Sequence, residues 1–344
     1  MRMTCVLSGI ALTMAALTAS AQPYKVLKTA KVGGDGGFDY VYADQAGRRL
    51  YICRSGQNPR ITVFSLDTLK PEGEIAKYGG HGVAVSSKTH HGFATSKPVA
   101  MFDSKSLELI KTIDVEGNPD GIMHDAFNDR VYIFSHSKPN VTVIDPADGS
   151  IAGTIDLGGA PEEAASDGKG HIYVDLEDTD KVAVIDAKTM KMTGSYDLTG
   201  KGGGCAGLAM DTKNGILFAA CRNPQNMVVL TAEGKILTTL PLGAGTDGAV
   251  FNPKTMEAFS SQRDGTLTVV KETSPTTFEV EQTVTTMPSA KTLTLDGKTG
   301  HIFLIAAEYA APAQTQTPAA SGRGGRGGRG QMVPDSFTIL EVAK

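Results

Sequence analysis

A repeat of about forty residues runs through nearly the whole chain and restricts its fold more than any other feature. Each copy has a Gly-rich entry, a short apolar strand, a polar turn and three further short strands. Two consecutive copies, from Gly117 to Leu157 and from Gly158 to Leu198, show this layout plainly. Seven copies align on the residue just before the first strand, and these residues are Asp39, His81, Asp120, Glu162, Ala206, Asp247 and Lys291.

A period of about 40 to 45 residues with four short strands is typical of β-propeller blades. Long amphipathic helical patterns, which helical repeats of this length require, are missing. The seventh copy supplies strands at 301–306 and 336–343 and then ends one strand short, while a spare strand lies at 24–32. We therefore predict an all-β, seven-bladed β-propeller of four-stranded blades, closed by the N-terminal strand, which completes the last blade.

The strands of the two clearest copies carry a family resemblance. They read RVYIFS, VTVID and IAGTIDL in one copy, and HIYVDL and KVAVID in the next. These segments resemble the YVTN-type β-propeller repeat, and the resemblance covers essentially the whole chain after its first residues. It implies an exported bacterial propeller similar to the YncE-like group, in which binding or surface roles are more common than a defined reaction. The Asn that follows the second strand in that repeat is replaced in every copy here.

Composition excludes several other classes of protein. The 344 residues include no Trp, which excludes propellers built on a recurrent WD dipeptide. The formal charge of −4 argues against a general nucleic-acid-binding surface. No apolar run of about 18 residues occurs after the N-terminus, so we predict no membrane span. A Tyr or Phe fills the recurrent position in the second strand, at Tyr51, Phe93, Tyr132, Tyr173, Phe218, Phe259 and Phe303.

Residues 1–21 have the pattern of a secretory signal peptide. Arg2 is followed by an apolar stretch too short to cross a bilayer and by the small-residue sequence Ala19-Ser20-Ala21. We predict cleavage near Ala21, a propeller domain at 22–344, and a periplasmic or secreted location for a monomeric protein.

Three cysteines remain after this predicted cleavage. Pairing Asp211 with Gly215 in a hairpin also places Cys205 opposite Cys221, and an exported protein can form a disulfide there. The alternatives are a buried thiol pair and a site for a soft metal ion. We expect Cys53 to be an inert thiol in the core.

The seven aligned residues are expected to form a ring at one end of the central channel, because each innermost strand begins there. Two carboxylates about 6 Å apart repel by roughly 3 kcal/mol at an effective dielectric constant of about 20, so the acids of this ring need cations. Lys291 is expected beside Asp39 and Asp247, and His81 beside Asp39 and Asp120. The ring residues predicted to bind a ligand are Asp39, His81, Asp120, Glu162, Asp247 and Lys291.

A divalent cation is a second way to neutralise the ring. Oxygen ligands from Asp120, Glu162 and Asp247 would favour Ca²⁺ or Mg²⁺, and addition of His81 admits a transition metal. The alternative is that these side chains only cap backbone amides of the blade-entry turns. We predict no other cofactor.

The loops after the second strands contribute a second, mostly basic ring at the same end. Arg54, Arg222 and Arg263 are predicted to bind a small polar ligand such as a carboxylate, phosphate or sugar acid. The candidates for proton transfer are His81, His136 and Glu177. The alternative is that these loop charges are only solvated.

Residues 310–334 interrupt the last blade with a segment rich in Pro, Gln, Gly and Arg, which we predict to be disordered. Arg323, Arg326 and Arg329 lie in Arg-Gly-Gly repeats and would attract nucleic acid only weakly.

The sequence favours an exported, non-catalytic protein that binds a small polar ligand, a glycan or a protein at the channel mouth. One alternative is a metal-dependent enzyme of the lyase or lactone-hydrolase type, by analogy with other propellers. The other is a scaffold whose rim binds a protein partner.

Overall fold

The computed structural model describes residues 22–311 and 330–344. These residues form seven separate four-stranded antiparallel sheets, and the predicted seven-bladed fold is confirmed. No helix in these two ranges is long and apolar enough to cross a membrane. The predicted signal peptide at 1–21 and the three arginines at 323, 326 and 329 lie outside the described residues.

The first three blades follow β1, which spans Lys25–Lys31. Blade 1 contains β2 (Gly37–Asp44), β3 (Arg49–Ser55), β4 (Arg60–Ser65) and β5 (Pro71–Ala76). Blade 2 contains β6 (Val83–Val85), β7 (His91–Ala94), β8 (Val99–Asp103) and β9 (Leu109–Ile113). Blade 3 contains β10 (Pro119–Asp125), β11 (Arg130–Ser135), β12 (Val141–Ile144) and β13 (Ile151–Ile155).

The remaining blades repeat this order from the inner to the outer strand. Blade 4 contains β14 (Pro161–Ser166), β15 (His171–Leu176), β16 (Lys181–Asp186) and β17 (Lys191–Asp197). Blade 5 contains β18 (Cys205–Asp211), β19 (Ile216–Arg222), β20 (Gln225–Thr231) and β21 (Ile236–Pro241). Blade 6 contains β22 (Thr246–Asn252), β23 (Glu257–Gln262), β24 (Thr266–Ser274) and β25 (Thr277–Thr285). Blade 7 contains β26 (Lys291–Asp296), β27 (His301–Ala306) and β28 (Thr338–Ala343).

The outer strand of blade 7 is β1, which pairs antiparallel with β28 from Lys25 opposite Ala343 to Lys31 opposite Thr338. Two further contacts fasten this end of the chain to blade 6. The Tyr24 hydroxyl donates to Glu257 Oε2 at 2.6 Å, and the Tyr24 amide donates to the side chain of Gln282. The two ends of the chain therefore share one blade.

The core consists of apolar layers between neighbouring blades. In one such layer, Tyr132 and Phe134 of blade 3 pack with Ile172 and Val174 of blade 4. The Tyr or Phe predicted at the recurrent second-strand position is buried in all seven blades, with at most 3% of any of these residues exposed. Aromatic rings there occupy the volume between blades in a chain without Trp.

A bulge recurs near the start of the inner strands. The pairing with the second strand skips residues between Phe38 and Val41 in β2, between Pro119 and Ile122 in β10, and between Thr246 and Ala249 in β22. The skipped residues include the ring positions of the repeat. Bulges re-aim side chains at the ends of strands, and here they free these side chains to face the channel.

The predicted disulfide is confirmed. Cys205 on β18 lies opposite Cys221 on β19, and their sulfurs are bonded across the hairpin of blade 5. Cys53 is free and fully buried, and burial raises the pKa of its thiol well above the ordinary value.

The predicted disordered segment, 310–334, is only partly described. Residues 312–329 lie outside the described residues. On either side, Tyr309 pairs with Met332, and the Ala310 amide donates to the carbonyl of Gln331. The two flanks are thus hydrogen bonded to each other beyond β27.

Candidate functional site

A cavity of about 610 Å³ opens at the end of the channel where the inner strands begin. Ten acidic or basic side chains line it, and we call this site the charged cup. They are Asp39, His81, Asp120, His136, Glu162, Glu177, Arg222, Asp247, Arg263 and Lys291. The inner-strand ring supplies six of them, and the loops or ends of the second strands supply the other four, so the two rings predicted from the sequence meet here.

Lys291 and His81 each bridge two neighbouring acids of the inner ring. Lys291 Nζ lies 2.7 Å from Asp247 Oδ2 and also contacts Asp39 Oδ1. His81 Nδ1 lies 2.7 Å from Asp39 Oδ2 and 2.9 Å from Asp120 Oδ1. These are the neighbours that the order of the repeats predicts.

The second ring supplies the cations for the other side of Asp120 and for Glu162. His136 Nε2 lies 3.1 Å from Asp120 Oδ2 and 3.0 Å from Glu162 Oε2. Arg222 contacts Glu162 at 3.6 Å, Glu177 at 3.1 Å and Asp247 at 2.6 Å. Acids and bases therefore alternate without a break around the mouth.

Asp247 is the most heavily paired carboxylate of the cup. Lys291, Arg222 and Arg263 all contact it, with nitrogen–oxygen distances of 2.6 to 2.7 Å. Burial acts to raise its pKa, but the charges of Lys291, Arg263 and Arg222 outweigh burial and hold the pKa below its ordinary value. Asp247 therefore stays ionised.

Both histidines of the cup carry a proton at neutral pH. The carboxylates of Asp120 and Asp39 raise the pKa of His81 to about 10, against the opposing effect of burial. The hydrogen bond to Glu162 raises the pKa of His136 to about 9. With both imidazoles charged, the five cations of the cup match its five carboxylates.

Two side chains that the sequence did not single out cross the channel one residue deeper. Tyr40 of blade 1 donates from its hydroxyl to the carbonyl of Glu162 in blade 4 at 2.9 Å. Glu163 accepts from the amides of Leu208 in blade 5 and Ala249 in blade 6, and burial raises its pKa to about 8. Tyr40 and Glu163 together form the floor of the cup.

A recurrent glycine in the sequence marks the level of this floor. The residue after each ring position is Gly in four of the seven copies, and these are Gly82, Gly121, Gly207 and Gly248. A Cβ on Gly207 would lie 2.5 Å from the Gly248 backbone, so the inner strands approach too closely for a side chain there. Large side chains at Tyr40 and Glu163 stand out against these glycines.

Arg54 does not line the cup, although we predicted from the sequence that it binds a ligand there together with Arg222 and Arg263. Only 1% of it is exposed, and its guanidinium lies 3.8 Å from the ring centre of Phe337. It donates to the carbonyls of Asp35 and Gly36 at 2.8 and 3.1 Å. Arg54 thus holds the loop between β1 and β2, and burial lowers its pKa to about 10.

Two groups of side chains in the cup could hold a metal ion. Asp39, His81 and Asp120 form one, and Asp120, His136 and Glu162 form the other, with donor atoms in each group within 4.8 Å of one another. Asp120 belongs to both. Asp247 was predicted as a metal ligand together with Asp120 and Glu162. In the structure it belongs to neither group and is paired with Arg222, Arg263 and Lys291.

Comparison with known proteins identifies the fold alone. No family model matches the chain, and no curated protein matches it. It is similar to a chain in the crystal structure of the mitotic checkpoint complex, with a TM-score of 0.69, 12% identity, and coverage of 88% of this chain and 95% of the other. It is similar also to the RRP9 WD40 repeats, with a TM-score of 0.69, 12% identity, and coverage of 93% and 97%. These likenesses agree with the seven-bladed β-propeller fold and assign the chain to no family.

Proposed function

We propose that the protein is an exported, non-catalytic propeller that binds a small polar ligand in the charged cup. The observation that carries this proposal is a cavity of about 610 Å³ lined by ten acidic or basic side chains. Its volume falls within the usual range for small-molecule sites. A flat rim of solvated charges would not enclose such a space.

The distribution of charge favours a ligand with an anionic group. The permanent cations Arg222, Arg263 and Lys291 lie together on the side of blades 5 to 7, where all three contact Asp247. A carboxylate or phosphate can share the guanidinium groups with Asp247, since an arginine offers several donors. The acids on the opposite side suit the hydroxyl or amino groups of a sugar acid or a similar molecule.

Binding is favoured over catalysis because the three side chains predicted to transfer protons are each paired with a neighbouring charge. His81 and His136 are protonated at neutral pH, with pKa values raised to about 10 and about 9 by neighbouring carboxylates. A general base works best with a pKa near the operating pH. Glu177, the third candidate for proton transfer, is paired with Arg222 at 3.1 Å.

Export is the proposed location, to the periplasm or the medium. The signal-peptide pattern at 1–21 and the Cys205–Cys221 disulfide support it, because disulfides persist in oxidising compartments. The resemblance to the YVTN-type repeat agrees with this assignment.

A protein partner is the second candidate. One structural neighbour comes from a complex, and the outer strands of blades 2 and 3 expose apolar side chains. Leu109, Ile110 and Ile151 are 38%, 45% and 48% exposed. Apolar groups on outer strands are the kind of surface that protein interfaces cover.

Isothermal titration with a panel of small carboxylates, sugar acids and sugar phosphates tests the first proposal. We expect one class to bind, and Arg263→Gln to weaken it about tenfold or more through loss of a charged donor. Arg130→Gln is the matched control: Arg130 also pairs with one aspartate, has nearly the same exposure (31% against 32%), and lies at the other end of blade 3. Equal affinity in R263Q and wild type would reject the cup as the site.

A further inference from the structure

The carboxylate of Asp120 is buried between two imidazoles and is incompletely partnered. Asp120 is 7% exposed, and its Oδ1 lies 2.9 Å from His81 Nδ1 yet accepts no hydrogen bond. The reason is that Nδ1 has one proton, and this proton is directed to Asp39 Oδ2 at 2.7 Å. Asp39 Oδ2, His81 Nδ1 and Asp120 Oδ1 therefore lie close together with one proton among them. That proton hydrogen bonds to only one of the two carboxylate oxygens.

Other groups fix the orientation of these donors. Asp39 Oδ1, the other oxygen of that carboxylate, contacts Lys291, and Asp120 Oδ2 lies 3.1 Å from His136 Nε2. Each carboxylate is held by one oxygen and presents the second toward His81 Nδ1. Such outer contacts are what orient ligands in metal sites.

We propose that Asp39 Oδ2, His81 Nδ1 and Asp120 Oδ1 bind one divalent transition-metal ion at the mouth of the channel, and that the ion replaces the proton on His81 Nδ1, which is released to solvent. One imidazole and two carboxylates suit ions such as Zn²⁺, Mn²⁺ or Co²⁺ better than Ca²⁺ or Mg²⁺, which prefer oxygen alone. Bonds of about 2.1 Å at tetrahedral angles place donors about 3.4 Å apart, so His81 Nδ1, now 2.7 and 2.9 Å from the two oxygens, needs to move away from each by about 0.5 to 0.7 Å. Three protein ligands leave a coordination position open toward the cavity.

The neighbouring group of Asp120, His136 and Glu162 does not add a second ion. It shares Asp120, so a second divalent ion there would lie close to the first and be repelled by its charge. We therefore expect one ion per chain. This site extends beyond the proposed ligand binding and can be tested with metal alone.

The experiment is titration of Zn²⁺ into the purified, chelator-treated full chain. We expect a stoichiometry of one, a higher melting temperature with Zn²⁺, and affinity weakened at least about tenfold in both His81→Gln and Asp120→Asn. His171→Gln is the matched control, because His171 Nδ1 faces the single carboxylate of Asp167 on the exposed side of blade 4, and it is expected to bind as wild type does. Co²⁺ in place of Zn²⁺ should give visible absorption bands that H81Q lacks.

His136→Gln separates the two groups of donors. It removes only an outer contact to Asp120, so we expect a smaller loss of affinity than in H81Q. A larger loss in H136Q, a stoichiometry of two, or no binding of Zn²⁺, Mn²⁺ or Co²⁺ would each overturn the assignment. If D120N does not fold, as judged by its melting in chelator, H81Q decides the question.

Discussion

At the scale of single residues, the most consequential group is Asp247, because three cations of the cup depend on it. Its side chain is 5% exposed, and Lys291, which it pairs with, is 9% exposed. Without the Asp247 charge, Lys291 would keep only Asp39 as a counter-ion. Removal of one partner from a buried ion pair leaves an uncompensated charge, which is far more costly than loss of a surface pair.

Asp247→Asn is therefore expected to lower the free energy of unfolding by about 3 to 5 kcal/mol, measured by denaturant titration. Asp67→Asn is the control, since Asp67 pairs with Arg48 but is 56% exposed, and it should lower the free energy of unfolding far less than Asp247→Asn does. Similar effects of the two substitutions would show that the three cations do not need Asp247.

The repeat in the sequence predicts the position of some site residues and not of others. The period of the repeat places Asp39, Asp120, Glu162 and Asp247 around one mouth, because equivalent positions of seven blades lie on a circle. It cannot place Arg54, whose direction depends on Phe337 and on the loop at 33–36, far apart along the chain. Such contacts occur in one blade only, so a pattern that recurs in every blade cannot predict them.

At the scale of strands and turns, an ion pair joins the first blade to the last. Arg48, in the turn between β2 and β3, donates from both terminal nitrogens to the two oxygens of Asp296 at the end of β26, each at 2.8 Å. Burial acts to raise the pKa of Asp296, but the hydrogen bonds from Arg48 and Thr299 outweigh it and lower the pKa to about 2.

Because the pKa of Asp296 is lower in the folded state than the ordinary value of 3.8, its contribution to stability is present above about pH 4 and is lost as the pH falls toward 2. We expect Asp296→Asn to cost about 2 kcal/mol at pH 7. The difference from wild type, measured by denaturant titration, should shrink steadily below pH 4. A difference that persists at pH 2 would exclude the charge of Asp296 as its source.

The strands themselves are the part of the structure most readable from the sequence. Alternating apolar residues and a fixed period give the blades and the register of Cys205 opposite Cys221. The inner-strand bulges are harder to predict from the sequence, since a bulge adds a residue without changing which residues are apolar. They decide where Asp39 and Asp120 point, and so the sequence predicted the members of the ring better than their contacts.

At the scale of the whole molecule, both ends of the chain meet in blade 7. Without β1, β28 would present an unpaired edge, and such edges promote association between chains.

A chain that begins at residue 33 is accordingly expected to melt at a lower temperature and to self-associate, as measured by thermal unfolding and size-exclusion chromatography. A peptide of residues 22–32 added in trans should restore much of the loss by strand addition. The control joins residue 311 to residue 330, which lie beside the hydrogen-bonded pair Ala310 and Gln331, and it should retain the wild-type melting temperature. A truncated chain as stable and monomeric as the full chain would refute the role of β1.

The hydroxyl of Tyr40, bonded to the Glu162 carbonyl, joins blade 1 to blade 4 across the central channel beneath the cup. A phenol ring that spans the channel narrows it at that level, so it hinders a solute in the cup from moving on toward the other face of the disc and favours its return through the mouth. A molecule bound on the rim of the mouth would obstruct this return. A partner protein docked there would therefore slow both the entry and the escape of a small molecule, without contacting it.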